Sequence, residues 1–149
     1  MKIYSWNVNG LRSALKKGFA DWFAATKPDI LCLQEVRAEE DQIPEEVAHP
    51  EGFFAYWNPC RRKKGYSGVG IYTQIEPDRV NYGFDIEEFD EEGRVLQLVF
   101  PDWVLNSIYF PNGGQGDDRL DYKLRFYDAF LENSKRWVAD GKHVVTLGD

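Results

Sequence analysis

Four consecutive apolar residues, Ile30-Leu31-Cys32-Leu33, follow closely on a stretch of helical periodicity, and that succession restricts the chain to a few architectures. An apolar run this short and unbroken suits a strand buried on both faces of a sheet. Before it, Leu11 to Ala25 places Leu11, Leu15, Phe19, Trp22 and Phe23 at helical spacing, and Pro28 ends the segment. Earlier still, Lys2 to Val8 alternates in the manner of a strand, carrying Ile3, Trp6 and Val8, until Asn9-Gly10 breaks it. Strand, helix and strand at this spacing form a βαβ unit, with parallel strands and a right-handed crossover. The tips of parallel strands face one sheet edge. Asn7 and Glu35 therefore hold matching places just beyond core strands, where open α/β sheets commonly place their chemistry.

Downstream, Phe53 to Trp57, Gly68 to Thr73, Arg94 to Phe100 and Trp103 to Tyr109 are rich in aromatic and β-branched residues and read as short strands. Several are close enough to pair as antiparallel hairpins, with Pro101-Asp102 turning between the last two. Asp118 to Ala139 returns to helical spacing, with Leu120, Leu124, Tyr127, Leu131 and Val138 on one stripe, widened by Phe130 and Trp137. Such a stripe is what a surface helix turns to the core. Lys142 to Leu147 supplies a final buried strand, followed by Gly148-Asp149. With no later element to cover that strand, residues 1–149 are expected to be the N-terminal part of one domain.

At 43% hydrophobic and 15% aromatic residues the chain has material for one packed folding unit. It opens without a charged segment leading into an apolar one, and contains no apolar run of about 18 residues, so neither export nor a membrane is expected. Cys32 and Cys60 each sit in apolar or aromatic sequence, without zinc spacing or a disulfide framework, which favours inert buried thiols and a cytoplasmic, reducing compartment. The net charge of −7 weighs against holding nucleic acid by bulk electrostatics. The acidic residues are bunched, however, in Glu39-Glu40-Asp41 with Glu45-Glu46 and in Asp85 to Glu92. Between the two groups lies Arg61-Arg62-Lys63-Lys64, joined through Gly65 to Tyr66 on a flexible loop. Such a basic run reads equally as a solvated turn.

Asn7, Glu35 and Asp149 all stand at strand tips. A carboxylate there is a hard ligand for Mg²⁺, which keeps several waters and is usually held by one or two carboxylates plus substrate phosphate. Each of the three alone also fits a solvated strand end or an exposed terminus; convergence on one edge is what favours a metal site. Tyr109-Phe110-Pro111-Asn112-Gly113-Gly114 presents a phenol and an amide beside backbone N–H groups, an arrangement able to cradle phosphate. A plain loop whose glycines permit positive φ explains the same residues equally well. His49 and His143 are assigned no role.

Taken in order, Ser5-Trp6-Asn7-Val8-Asn9-Gly10-Leu11-Arg12, Leu31-Cys32-Leu33-Gln34-Glu35, Gly65-Tyr66-Ser67-Gly68-Val69-Gly70, Glu92-Gly93-Arg94-Val95, Tyr109-Phe110-Pro111-Asn112 and Leu147-Gly148-Asp149 closely resemble the exonuclease III / AP endonuclease family. The resemblance implies an α/β fold, half of a DNase I-like four-layer sandwich in which two mixed β-sheets are flanked by helices. It also implies roles. Glu35 matches the main metal-binding glutamate and Asn7 the amide beside it that supports metal and phosphate. Tyr109 matches a tyrosine that hydrogen-bonds the scissile phosphate, Asn112 a phosphate-side amide, and Asp149 the aspartate that activates water. Tyr66, with Arg62 and Lys63 before it, lies in a loop that presses on DNA beside the lesion. Asn9 stands where some relatives carry a metal-supporting aspartate, and Gln115 where some carry a duplex-inserting arginine.

The activity so implied is Mg²⁺-dependent hydrolysis of double-stranded DNA at abasic sites and 3′ ends, with Mn²⁺ as a substitute ion. The family motif continues Gly-Asp-x-Asn beyond Asp149, so residues 1–149 alone are expected to be inactive without a C-terminal half. Two other readings stand beside this one. One is a superfamily phosphatase acting on a lipid or inositol headgroup, which has no use for the Gly65–Gly70 loop. The other is a non-catalytic fragment that binds DNA or self-associates.

Overall fold

Strand β2 (Ile30–Gln34) is buried at all five positions. The computed structural model, which describes residues 1–149, gives the reason: β2 lies inside a sheet with packed material on both sides. Its parallel neighbour is β1 (Ile3–Asn7), in a register that sets Asn7 opposite Gln34. On the other side β2 pairs antiparallel with β4 (Val69–Thr73), which forms a hairpin with β3 (Phe54–Asn58), giving the order β1-β2-β4-β3. The second sheet runs β5 (Arg79–Asn81), β6 (Val95–Val99), β7 (Trp103–Ile108), β8 (His143–Gly148), with β7 and β8 parallel and the other pairs antiparallel.

Period-two alternation divides each central strand between two cores. Ile30, Cys32, Val69 and Ile71 of the first sheet meet Leu96, Leu98 and Leu105 of the second. The opposite faces of the same strands, through Leu31, Leu33 and Tyr72, pack on α1 (Leu11–Lys16) and α2 (Phe19–Thr26). The outer face of the second sheet, through Val95 and Ile108, packs on Phe89 of α4 (Glu87–Asp90) and on Tyr122 and Phe126 of α5 (Asp117–Ala139). Helix, sheet, sheet and helix form the four expected layers. No helix is long and apolar enough to cross a membrane.

Three expectations need correction. The single helix anticipated over Leu11 to Ala25 is two, α1 and α2, because Gly18 takes a left-handed conformation (φ 99°) that redirects the chain. On α5 the apolar stripe read from the sequence is the outer one: Leu120, Leu124, Tyr127, Leu131 and Val138 are exposed. The packed face is Tyr122 and Phe126, with Ala129 and Phe130. The helix carries two apolar stripes, and periodicity does not say which meets the sheet. Strand β8 is not buried but lies at a sheet edge, with His143 and Val145 exposed. The acidic stretch Asp85 to Glu92 contains α4 and ends in Glu92, which is 2% exposed. The short elements β5 and α3 (Glu45–Ala48) carry too few residues for a periodic signal.

Candidate active site

The parallel pairing of β1 with β2 brings Asn7 and Glu35 together. Beyond the strands, the Val8 N–H donates to the Gln34 carbonyl at 3.1 Å and the Gly10 N–H to the Glu35 carbonyl at 2.8 Å. The Val36 N–H donates to the Gly68 carbonyl at 2.9 Å, which ties the loop before β4 to the same edge. This lacing holds Asn9 (φ 47°) and Glu35 (φ 51°) in the left-handed region that non-glycine residues seldom adopt. Backbone strain of this kind gathers at functional positions, where the surroundings over-determine the conformation.

The second sheet delivers the third strand tip. Gly148 lets β8 end in close contact with β7, since a Cβ there would lie 1.9 Å from the Ile108 carbonyl oxygen. The Asp149 N–H then donates to Ile108 O at 3.1 Å, and its carbonyl accepts from the Phe110 N–H at 2.8 Å. With its backbone so fixed, the Asp149 carboxylate accepts from the Asn7 amide, Nδ2 to Oδ2, at 2.6 Å. The same Nδ2 donates to Glu35 Oε1 at 2.9 Å. Asn7 thus bridges two carboxylates from different sheets, while its Oδ1 accepts from the Asn9 N–H at 2.9 Å.

Tyr109 follows β7 and turns its phenol to Glu35. Partial burial alone would raise the Glu35 carboxyl, but hydrogen bonds from Asn7 and Tyr109 and the charge of Arg37 outweigh it and hold the group below its usual range. Tyr109 moves the other way: burial, and then the neighbouring Glu35 carboxylate, push its phenol up to about 12. The pair is therefore a carboxylate and a protonated phenol across the neutral range. Arg37 also bonds the second Glu35 oxygen.

Two carboxylates, an amide and a phenol are an all-oxygen and nitrogen set of hard groups, and nowhere do three or more His, Cys, Asp or Glu side chains cluster as a full metal cage. Such a set suits an ion that keeps water and substrate oxygens as its remaining ligands. It lacks the cysteine and histidine ligands on which zinc sites are usually built. Both cysteines are buried and free, and burial pushes the Cys32 thiol up to about 12.

The remaining anticipated residues fall in two places. Tyr66 is half-buried and its hydroxyl accepts from Arg94 Nη2 at 2.9 Å; Lys63 Nζ lies 5.6 Å from its ring centre and Arg62 Nη1 donates to Glu92 at 3.3 Å. Tyr66, Arg62 and Lys63 thus form one group, joined through Arg94 to Tyr109, whose carbonyl accepts from Arg94 Nη1 at 3.1 Å. Asn112 is exposed and its Oδ1 accepts from the Gly114 N–H at 2.8 Å, so it shapes its own loop. Gln115 is exposed on that loop and His49 pairs with Glu40.

Sequence reasoning missed Arg37, which bonds Glu35, and the cationic cavity next to it. Arg12, Lys16 and Arg37, with Asn9, Ser13 and Gln42, line an open polar cavity of about 680 Å³. Arg12 is fixed there by donating to the Arg37 carbonyl at 3.1 Å. The helical spacing of Arg12 and Lys16 was the available signal. An apolar cavity of about 470 Å³ between α2 and α3, walled by Phe19, Phe23, Phe53 and Tyr72, shares no residue with the site.

Residues 4–149 match the Endonuclease/Exonuclease/phosphatase family. Over 124 residues, 83% of the chain, the sequence is 47% identical to the DNA repair nuclease APEX1 of Danio rerio, of which it covers 40%. It is 40% identical over its whole length to an exodeoxyribonuclease of Bacillus subtilis (strain 168), of which it covers 58%. The fold superposes with a TM-score of 0.85 on a 3′-5′ exonuclease from Neisseria meningitidis at 29% identity, covering 100% of this chain and 57% of the other. The chain thus spans about half the length of these relatives, 40% and 58%.

Proposed function

The chain belongs to the Endonuclease/Exonuclease/phosphatase family, and from that premise we propose that it forms the N-terminal part of a DNA-repair phosphodiesterase that cuts duplex DNA on the 5′ side of abasic sites and at 3′ ends. The observation that carries the reading is the single amide of Asn7 bridging Glu35 and Asp149, with the Tyr109 phenol close enough to the Glu35 carboxylate to stabilise its charge. The names of the relatives, a DNA repair nuclease and an exodeoxyribonuclease, support DNA as the substrate class.

In this reading Glu35, with Asn7 beside it, would hold Mg²⁺ or Mn²⁺, and the ion would supply charge stabilisation to the phosphate and the departing oxygen. Asp149 takes the proton from water as that water attacks phosphorus in line. Asn7 aims the Asp149 carboxylate by its 2.6 Å bond, leaving the second carboxylate oxygen for the water. The Tyr109 phenol, kept protonated, donates to a non-bridging phosphate oxygen, where negative charge grows in the transition state. Asn112 serves as an amide on the phosphate side. Tyr66, Arg62 and Lys63 meet the duplex next to the cut, so phosphate contact is local despite the net charge of −7. Catalysis at full rate requires side chains from a C-terminal part of the same domain, because groups acting as a unit do not retain proportional activity when divided. The reducing cytoplasm is the proposed setting, in keeping with two free buried thiols.

The test is Mg²⁺-dependent nicking of a duplex carrying one abasic analogue, by this chain alone and by this chain mixed with a separately made C-terminal half. Cleavage only on mixing is expected. Cleavage by the chain alone would overturn the divided site, and folded material that binds the duplex without ever cutting it would favour a binding-only role.

A further inference from the structure

The side chain of Arg94 is 1% exposed, yet it touches both tyrosines of the site. Its Nε donates to Glu92 Oε2 at 2.8 Å, Nη1 to the Tyr109 carbonyl at 3.1 Å and Nη2 to the Tyr66 hydroxyl at 2.9 Å. A guanidinium is a rigid planar fork, so fixing one edge fixes the directions of the others. Its carbon also lies 5.1 Å from the Tyr109 ring centre and 5.7 Å from that of Tyr66, within cation–π range of both. The main chain repeats the link, with the Tyr109 N–H donating to the Arg94 carbonyl at 2.9 Å.

The fork is itself clamped. Glu92 accepts from Arg94, from both terminal nitrogens of Arg119 at 3.1 and 3.2 Å, and from Arg62 at 3.3 Å. Three guanidiniums on one carboxylate leave the cluster net positive. Between the pair, Gly93 (φ 61°) allows the turn to press on the root of the basic loop, where a Cβ would stand 2.5 Å from the Pro59 carbonyl carbon and 2.6 Å from Cys60 N. The N–H groups of Arg61 and Arg62 both donate to the Glu91 carbonyl, at 2.8 and 3.1 Å. The loop that carries Tyr66 is therefore seated on residues 91–94.

A buried ion pair is weak grounds for stability, since apolar residues of similar volume commonly serve as well. Geometry is what this one supplies. Arg94 has no access to solvent and its three nitrogens are all partnered, which excludes a direct grip on phosphate. Resting on the nuclease reading of the site, we propose that Arg94, clamped by Glu92, is a positioning residue that couples Tyr66 to Tyr109, so that seating of the Tyr66 loop on DNA and alignment of the phosphate-facing phenol are one event.

The coupling is read first on the chain without DNA, by the ¹³Cζ resonances of labelled tyrosines. Tyr66→Phe deletes only the hydroxyl that accepts from Nη2, on a half-buried loop residue, and is expected to shift the Tyr109 resonance while leaving Tyr4 in place. Arg94→Lys keeps the charge and loses the fork, and is expected to shift both Tyr66 and Tyr109. In the protein complemented by its C-terminal half, Arg94→Lys should lower kcat about a hundred-fold with a smaller change in KM, as misplacement of a reacting group does. An unmoved Tyr109 resonance in Tyr66→Phe, or unchanged kcat in folded Arg94→Lys, overturns the coupling. Failure of the nuclease reading is separately visible: the complemented wild type would leave abasic duplex intact whatever the resonances do.

Discussion

Asn7 donates its amide nitrogen to the Asp149 carboxylate at 2.6 Å, across 142 positions of sequence and from one sheet to the other. The bond exists because β1 and β8 are both edge strands, running beside their respective parallel partners, with tips that point the same way. It makes Asn7 the only side chain that hydrogen-bonds both Glu35 and Asp149.

Asn7→Asp replaces that shared donor with a third carboxylate. Two attractions become two repulsions, and in the proposed mechanism Asp149 loses its aim. In the complemented protein kcat is expected to fall by about a hundred-fold or more, the scale seen when one pre-organised donor is removed from a reacting centre. Single-turnover nicking measures it; an activity within a few-fold of the parent would remove Asn7 from the catalytic group.

The two stripes of α5 should differ sharply in stability. Phe126 is fully buried between Phe84, Phe89 and Phe110, so Phe126→Ala is expected to destabilise the fold by about 3–5 kcal/mol. Leu124, on the outer stripe, is 53% exposed, and Leu124→Gln should stay within about 0.5 kcal/mol. Urea unfolding of the two variants decides which face meets the sheet, and equal losses would contradict the packing described.

Glu92 governs the acid limb of stability. Its burial would raise the carboxyl, but hydrogen bonds from Arg119 and Arg94 and the Arg94 charge prevail and lower it. A folded pKa below the unfolded one, about 4.3 for glutamate, means stability that is complete above that value and lost as pH falls through the folded pKa. Glu92→Gln should therefore be less stable than the parent at neutral pH and should close the gap as the solution is acidified. Thermal melts from neutral to strongly acid pH test this; a constant difference would deny the ion pair its role.

Tyr109 gives the opposite limb. Its phenol, raised to about 12 by burial and by Glu35, favours the neutral form in the fold. The associated stability is complete below the ordinary tyrosine value of about 10 and is lost as pH rises through about 12. Ultraviolet titration of parent and Tyr109→Phe should differ by one late-ionising tyrosine. If the missing group ionises near 10 instead, the phenol is not bonded to Glu35. In the complemented enzyme the same variant should lose about a hundred-fold in kcat with its fold intact.

Much of the architecture was readable because it rests on short-range pattern. The apolar run Ile30–Leu33, the helical stretch before it and the turn at Asn9-Gly10 are local signals, and they locate the βαβ unit and the pairing of Asn7 with Glu35. The hairpin β6–β7 followed from strand composition and the short Pro101-Asp102 turn, while β3–β4 followed from strand composition alone. The motifs around Glu35, Tyr109 and Asp149 named three positions that the fold brings to one edge, and Tyr66 joins them only through Arg94. The break at Gly18 is local too, but a glycine inside a helical pattern is tolerated often enough that periodicity alone runs through it.

What sequence determined by itself was thus the order of the elements, the residues at their tips and the chemistry those residues are capable of, since each depends on neighbours within a few positions. Only the tertiary structure decided which stripe of α5 is buried, because Phe126 and Leu124 are equally apolar and the choice is made by the sheet they meet. It likewise decided that Glu92, in a run of acids, is the buried partner of three arginines. And it decided that Asn7 reaches Asp149, a contact created by the packing of one sheet on the other and carried by no pattern along the chain.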